Sequence, residues 1–265
     1  MKISSIGIMQ GRILPKFVDR LQVFPIDTWE EELVATENIG FQHIELLWDS
    51  KQDIKKAKGL MNNVSELPQL HAPSMCIDSI CNYTSAKDIL NEILDVLDTF
   101  KQDTPGILVV PLLGKATINT IFKLKELIDK IGAHKIWNLL QKYNVKLALE
   151  LDMPSSEIIK AIEFSNPNLI GICLDSGNLW HYSNNPIEDM QILSNRIIHV
   201  HIKDRDKTGE NVLLGDGLVD FHKFSKVLKD IGYSDLITLE TKYFKSPSSE
   251  AKKNLEYISE IIQFS

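Results

Sequence analysis

Two patterns of hydrophobic and polar positions alternate along the whole chain. Short, continuously apolar segments are typical of parallel strands that are covered on both faces. Between them, apolar residues recur at helical spacing, as in the predicted helix that carries Ile89, Ile93 and Val96 on one face. Eight segments are predicted to be strands: residues 3–9, 43–48, 68–72, 106–113, 145–151, 169–175, 196–202 and 236–240.

Eight strand–helix units joined by right-handed crossovers most simply close into a (β/α)₈ barrel, the TIM barrel. An open doubly wound sheet is the alternative fold. Such a sheet usually has a glycine-rich phosphate turn after its first strand, and the segment IMQGRILP at 8–15 is not one. The length of 265 residues suits a barrel. Because no linker or shift in composition divides the chain, we expect an α/β fold with one barrel domain over residues 1–265.

The composition narrows the classes of molecule that the protein is expected to bind. The 29 basic and 36 acidic residues give a net charge of −7, which argues against nucleic acid as a ligand. No apolar run approaches the roughly 20 residues of a membrane-spanning helix, and MKISSIGIMQGR is too short and polar for a signal peptide. Cys76, Cys81 and Cys173 lack the spacing of a zinc site and are predicted to be reduced core residues. We therefore expect a cytoplasmic protein that binds neither nucleic acid nor membrane.

Ionisable residues stand at the ends of the last four predicted strands, and the active site of a barrel is built at the C-terminal ends of its strands. Three carboxylates and one imidazole suit a hard or borderline divalent ion, and without a cation they would repel and desolvate one another. The expected ion is Mn²⁺, with Mg²⁺, Co²⁺ or Zn²⁺ as alternatives. His199 points to the same side as His201 but one layer deeper, so we expect it to be packed and hydrogen-bonded. The four predicted metal ligands are Glu150, Asp175, His201 and Glu240.

Further polar residues near the strand ends are candidates for substrate contacts. Arg12 either binds a substrate oxygen or phosphate or pairs with a carboxylate. Glu45 either joins the polar network or anchors a loop. His71, in the segment LHAP, is predicted to end the third strand and to face the substrate. Lys203, just beyond the seventh strand, is a candidate for contact with a phosphate or carboxylate of the substrate.

The chain resembles the xylose isomerase-like barrel superfamily of sugar isomerases and epimerases. The resemblance covers nearly the whole chain, and IMQGRILP resembles a bacterial subgroup of sugar phosphate isomerases. The most specific block contains a glycine–acid–glycine turn, an Asp-Phe helix start and a strand that ends in Glu. The motifs are LHAP, LALE, CLDSGN, HVHIKD and LGDGLVDFHKFSKVLKDIGYSDLITLE, which ends at Glu240.

This resemblance implies that Glu150 and Glu240 serve both as metal ligands and as the acid/base pair of an isomerase or epimerase. The substrate would be a ketose, either a sugar or a sugar phosphate, and the proton would move through an enediolate. Members of the superfamily often carry histidine three residues after the sixth-strand Asp, where this chain has Asn178. An amide there can hydrogen-bond a substrate hydroxyl but cannot carry a proton.

Other functions on the same barrel stay open at this point. A dehydratase (lyase) of an inosose- or shikimate-type substrate needs the same metal ion and base together with a leaving hydroxyl. An endonuclease for abasic DNA would need more histidines at the rim and a basic groove, which seven histidines and the net charge of −7 disfavour. A non-catalytic binding protein would not need Glu150 and Glu240. A homodimer is as compatible with the sequence as a monomer.

Overall fold

A computed structural model describes residues 3–15, 24–49, 64–77, 85–113, 121–163, 165–242 and 245–262. Eight parallel strands close into a barrel in the order β1-β8-β7-β6-β5-β4-β3-β2. The predicted (β/α)₈ fold is therefore confirmed. The barrel strands are β1 Ser5–Met9, β2 His43–Trp48, β3 His71–Ile77, β4 Ile107–Leu112, β5 Lys146–Leu151, β6 Ile170–Asp175, β7 Ile197–Ile202 and β8 Leu236–Leu239.

Amphipathic helices lie between the strands in the chain and bury their apolar faces. The helix after β7 is capped by Asp220, whose carboxylate accepts the backbone N–H of Lys223 at 3.0 Å. None of the described helices has the length and apolar character needed to cross a membrane. The helices are α1 Trp29–Ile39, α2 Ala86–Phe100, α3 Ile121–Ala133, α4 Lys135–Tyr143, α5 Ser155–Ile162, α6 Ser176–Tyr182, α7 Pro186–Leu193, α8 Phe221–Asp230 and α9 Pro247–Ile261.

The register of the strands places their C-terminal ends at one rim of the barrel. Pro111 of β4 lies beside Glu150 of β5, and Asp175 of β6 lies beside His201 of β7. Alternate residues of each strand point into the barrel, so neighbouring residues at one level bring their side chains together. All six residues of β6 are buried, as expected of a strand that is covered on both faces.

The third strand lies further along the chain than predicted. The apolar run at 68–72 was predicted to be the strand, but β3 begins at His71, close to the end of that run. Between the first and third residues of β2, the pairing moves from His71 to Ser74, so β3 contains one extra residue, a β-bulge. Pro73 falls in the bulge, where a residue without a backbone N–H is tolerated. A proline that usually ends a strand therefore lies inside this one.

A buried aspartate organises the loop between β7 and α8. The Asp204 carboxylate accepts the backbone N–H groups of Gly215, Gly217 and Val219 at 3.0, 3.0 and 3.1 Å. A Cβ at Gly217 would lie only 2.2 Å from Asp204 Oδ1, and Gly215 has φ +93°, which disfavours any other residue. The glycine–acid–glycine motif of the sequence is therefore a loop wrapped around Asp204.

Replacing Asp204 with alanine should lower the free energy of unfolding by about 3 kcal/mol, because several buried N–H groups would lose a charged acceptor. Urea denaturation monitored by circular dichroism measures this change. Asp216→Ala is the matched control, since Asp216 is the exposed acid of the same glycine–acid–glycine turn. Equal stability of the two variants would contradict the organising role of Asp204.

Candidate metal centre

Four buried side chains meet at the C-terminal rim. Glu150 is the fifth residue of β5, Asp175 is the last of β6, His201 is the fifth of β7, and Glu240 directly follows β8. One potential ligand atom from each residue lies within 4.8 Å of those of the other three. The structure thus brings the four predicted metal ligands together.

The His201 ring is oriented so that its two nitrogens meet different surroundings. Nε2 lies 2.7 Å from Oε1 of Glu45, below the rim. Nδ1 lies 3.4 Å from Glu240 Oε2 and 3.9 Å from Glu150 Oε2. Nδ1 is buried and makes no hydrogen bond within the described part of the chain. An imidazole that donates Nε2–H to a carboxylate leaves the Nδ1 lone pair available to a metal ion.

Asp175 is oriented by the helix that follows it. Its Oδ1 caps α6 by accepting the backbone N–H of Asn178 at 2.6 Å. Its Oδ2 turns toward the centre, where the ammonium of Lys203 lies 3.2 Å away. The Asn178 side chain is also buried, and its Nδ2 donates to Glu150 Oε1 at 2.9 Å. The start of α6 therefore holds two of the four predicted ligands.

The four residues fit a divalent cation. Carboxylate oxygens and one imidazole nitrogen converge without a thiolate, a donor set that suits Mg²⁺, Mn²⁺, Co²⁺ or Zn²⁺. The arrangement of His201 adds a specific reason, because its buried Nδ1 is aimed at the carboxylates while Nε2 is held elsewhere. The group Glu150, Asp175, His201 and Glu240 could therefore hold a metal ion.

Comparison with known proteins identifies the family. A family model described as xylose isomerase-like TIM barrel matches residues 33–261. The chain belongs to this family. L-ribulose-5-phosphate 3-epimerase UlaE of Escherichia coli (strain K12) is 27% identical over 261 residues, which are 88% of this chain and 89% of that protein. This relative is a sugar phosphate epimerase, which supports the prediction of an isomerase-type enzyme.

Solved structures of the same fold cover almost the whole chain. The IOLI protein with a bound zinc atom aligns with a TM-score of 0.73 and 17% identity, over 98% of this chain and 100% of that one. A structure of L-ribulose 3-epimerase aligns with a TM-score of 0.71 and 16% identity, over 98% of this chain and 95% of that one. At these identities the two alignments show a common fold.

In this member of the xylose isomerase-like family, a lysine lies among the predicted ligands. Lys203 Nζ is 3.0 Å from Glu240 Oε2 and 3.8 Å from Glu150 Oε1, in addition to its contact with Asp175. Only 3% of Lys203 is exposed. In the sequence Lys203 is a candidate for contact with a phosphate or carboxylate of the substrate, and in the structure its ammonium lies against carboxylates of the protein itself.

Two small residues of α6 fix the position of Lys203. Ser176 Oγ donates to the backbone carbonyl of Lys203 at 2.7 Å and accepts its N–H at 3.0 Å. Gly177 lies against the stem of the side chain, because a Cβ there would be 2.7 Å from Lys203 Cγ. The motifs CLDSGN and HVHIKD are therefore two halves of one packed contact.

The surroundings shift the pKa values of Glu150 and Glu240 in opposite directions. Burial, only partly offset by Lys203, raises the pKa of Glu150 to about 8, and the charge of Glu240 adds to the rise. Burial also acts on Glu240, but Lys203, His201 and Arg12 outweigh it and hold the pKa of Glu240 well below its usual range. The surroundings therefore move the pKa values of the two carboxyls apart, the pattern expected of an acid/base pair.

Arg12 lies on the loop after β1, and its guanidinium is 3.9 Å from Glu240 Oε1. Of the two roles left open by the sequence, pairing with a carboxylate is present in the structure. Glu32 of α1 holds this loop by accepting the N–H groups of Gly11 and Ile13 at 2.9 and 3.0 Å. Sequence reasoning missed Glu32, because nothing in its position distinguishes it from the two exposed glutamates that precede it.

Two predicted substrate contacts lie away from the centre. Glu45 is fully buried below the rim, and its carboxylate contacts Ser74, His199 and His201. His71 is exposed at the N-terminal start of β3, at the opposite end of the barrel. Its predicted position at a strand end was wrong, because β3 continues beyond it. His199 is buried and hydrogen-bonded below His201, as predicted.

The cysteines do not enter the rim cluster. Cys76 and Cys173 are buried and free, as predicted, whereas Cys81 lies outside the described residues. Cys173 forms a second potential ligand group with His199 and His201. Burial raises the pKa of the Cys173 thiol to about 12, so without a cation beside it the thiol stays protonated.

Replacing Gly177 with alanine should displace Lys203, because the added methyl group meets its side chain closer than normal packing allows. We expect the free energy of unfolding to fall by about 1–3 kcal/mol and Lys203 to become reactive toward an amine-acylating reagent, as measured by mass spectrometry. Gly132→Ala is the control, since a Cβ at Gly132 meets nothing within 4 Å. Continued protection of Lys203 in the Gly177 variant would show that the contact is not restrictive.

Proposed function

We propose that the chain is a divalent-metal-dependent epimerase or isomerase of a ketose or ketose phosphate, which moves protons through an enediolate. The observation that carries this proposal is the pair Glu150 and Glu240, two buried carboxyls in one cluster whose pKa values are shifted in opposite directions. Family membership and the epimerase relatives support the same class of reaction.

When bound, the ion would be held by the four predicted ligands and would polarise the substrate carbonyl and a neighbouring hydroxyl. Glu240 is ionised and therefore suited to accept the proton from the carbon next to the carbonyl. Glu150, whose pKa is raised by burial, is suited to return a proton on the other face, and the roles exchange in the reverse direction. Return of the proton to the same carbon gives an epimer, and its return to the neighbouring carbon gives an isomer.

Basic and amide groups at the rim complete the proposed site. Lys203 and Arg12 lie beside Glu240, where their positive charges would stabilise the negative oxygen of an enediolate. Asn178 holds Glu150 through a hydrogen bond, and its Oδ1 is suited to accept a hydrogen bond from a substrate hydroxyl. Mn²⁺ is the proposed ion. The zinc in the IOLI structure supports Zn²⁺ as the first alternative.

We expect about one divalent ion per chain after chelation and reloading with Mn²⁺, and loss of that ion in His201→Ala, because the variant lacks the only imidazole of the four-residue set. Elemental analysis of desalted protein measures the stoichiometry. His222→Ala, which removes an exposed histidine of α8, is the control and should retain the ion. A wild-type protein that retains no divalent ion under these conditions would overturn the proposed function.

Glu150→Gln and Glu240→Gln should each abolish interconversion of L-ribulose 5-phosphate and its C3 epimer, because each variant lacks one of the two proton-transfer groups. In deuterated water each variant should still exchange the proton of the one epimer that faces its remaining glutamate, as seen by proton NMR. Glu92→Gln is the control, a buried carboxyl that accepts a hydrogen bond from Trp48 outside the cluster. Full interconversion by either of the first two variants would refute the assigned roles.

The same NMR experiment separates the alternatives. A dehydratase would convert an inosose- or shikimate-type ring to a product that has lost water and would leave ketose phosphates unexchanged. A non-catalytic binding protein would bind the ion or the sugar but exchange no carbon-bound proton in either class of substrate.

A further inference from the structure

A chain of hydrogen-bonded polar side chains crosses the interior of the barrel below the metal centre. Near the N-terminal end, Ser5 Oγ lies 2.6 Å from His43 Nδ1, and His43 Nε2 lies 2.9 Å from Thr238 Oγ1. Thr238 Oγ1 is 3.3 Å from His199 Nε2, which is 2.6 Å from Glu45 Oε2. Apart from the half-buried Ser5, these side chains are fully buried. A polar path therefore leads from one end of the barrel to the residue that contacts the predicted histidine ligand.

Glu45 is the branch point of this chain. Its Oε1 lies 2.7 Å from His201 Nε2, and its Oε2 receives both His199 Nε2 at 2.6 Å and Ser74 Oγ at 2.7 Å. Both carboxylate oxygens are engaged by groups from two other strands, so the carboxylate has no free rotation. A fixed acceptor at this point fixes the plane and the tautomer of the His201 ring.

Specific backbone features make room for the chain. A Cβ at Gly7 would lie 2.1 Å from the ring of His43, so glycine in β1 leaves space for the imidazole. The bulge in β3 brings Ser74 opposite Glu45. The interior layers of such barrels are dominated by branched apolar side chains, and burying polar groups instead costs free energy unless each finds a partner. This costly arrangement ends at a predicted metal ligand, which points to a role at that ligand.

We propose that Glu45 is a positioning residue for His201, which accepts the Nε2–H of the ring and thereby presents Nδ1 to the metal ion. His199 and Ser74 hold Glu45 in place. The proposal rests on the metal-dependent function proposed above. In this role Glu45 supports a predicted metal ligand and does not contact the substrate.

The substitution Glu45→Gln distinguishes this positioning role from a purely structural role in the core. Glutamine has almost the same shape, but one of its two terminal groups is an N–H donor. It can satisfy both imidazoles only if one of them turns its lone pair toward it and carries its proton on Nδ1 instead. In His201 that proton would point at the ion. If His199 changes instead, His201 keeps only a neutral amide oxygen as its partner, which is a weaker acceptor than a carboxylate. A purely structural role for Glu45 would change stability and leave metal affinity unaltered.

The test is Mn²⁺ binding, followed by the electron paramagnetic resonance signal of free Mn²⁺, in wild type, Glu45→Gln and Glu92→Gln. We expect Glu45→Gln to weaken binding by about 10- to 100-fold, the range found when the partner of a metal-bound histidine is removed. Glu92→Gln should bind like wild type, because Glu92 is a buried carboxyl of α2 that is bonded to Trp48 and lies outside the cluster. Unchanged affinity in Glu45→Gln would overturn the proposal.

Nitrogen NMR of ¹⁵N-histidine in the Zn²⁺-loaded protein gives a second readout. In wild type, His201 should show a protonated Nε2 and a metal-shifted Nδ1, and this signature should be altered in Glu45→Gln. If that variant does not fold, Ser74→Ala keeps the carboxylate but removes one of its donors. It should weaken Mn²⁺ binding and shift the His201 signals, and no change in either would overturn the role of Glu45.

The outcomes separate the two proposals. A wild-type protein that binds no divalent ion removes both the proposed function and the role of Glu45. A wild-type protein that binds Mn²⁺ while Glu45→Gln binds it equally well removes only the role of Glu45.

Discussion

The balance of charge among three buried carboxylates is the constraint on which the C-terminal rim depends. Glu150, Asp175 and Glu240 lie within a few ångströms of one another, away from water, where like charges repel strongly. The ammonium of Lys203 supplies a positive partner to all three at 3.0–3.8 Å. This balance of charge also constrains the residues around Lys203, because the side chain of a buried lysine must be packed and its backbone must be held in place. The small residues at the start of α6 meet that need.

The sequence predicted the four ligands because each stands at or next to the end of an apolar run, where barrel geometry alone brings side chains together. The same logic failed for His71, because a bulge carries β3 past a proline, and bulges leave no clear signal in hydrophobic periodicity. Glu45 lies in the middle of β2 rather than at its end, and of the two roles left open by the sequence it takes the one in the polar network. The sequence could not predict where the Lys203 side chain points, because its direction is set by the packing of α6 against β7.

The acidic composition has a different meaning once the structure is known. Several acidic side chains are structural acceptors inside the protein: Glu32 binds the backbone of the loop after β1, and Asp204 does the same after β7. Glu45 accepts hydrogen bonds from two histidines within the barrel. A net charge counted from sequence therefore overstates how much of the negative charge lies on the surface.

The bulge in β3 also bears on how this chain can change by insertion and deletion. Side chains along a strand alternate between the interior and the exterior, so one extra residue reverses the facing of all that follow unless a bulge absorbs it. His71 and Ser74 are three residues apart but pair with His43 and Glu45, which are two apart, so the bulge keeps Ser74 on the same face as Glu45. Losing one residue at the bulge would restore regular pairing and leave Ser74 beside Glu45. A residue gained or lost beyond the bulge would instead reverse the facing of the rest of the strand, so β3 tolerates a change of length at Pro73 better than one nearer its end.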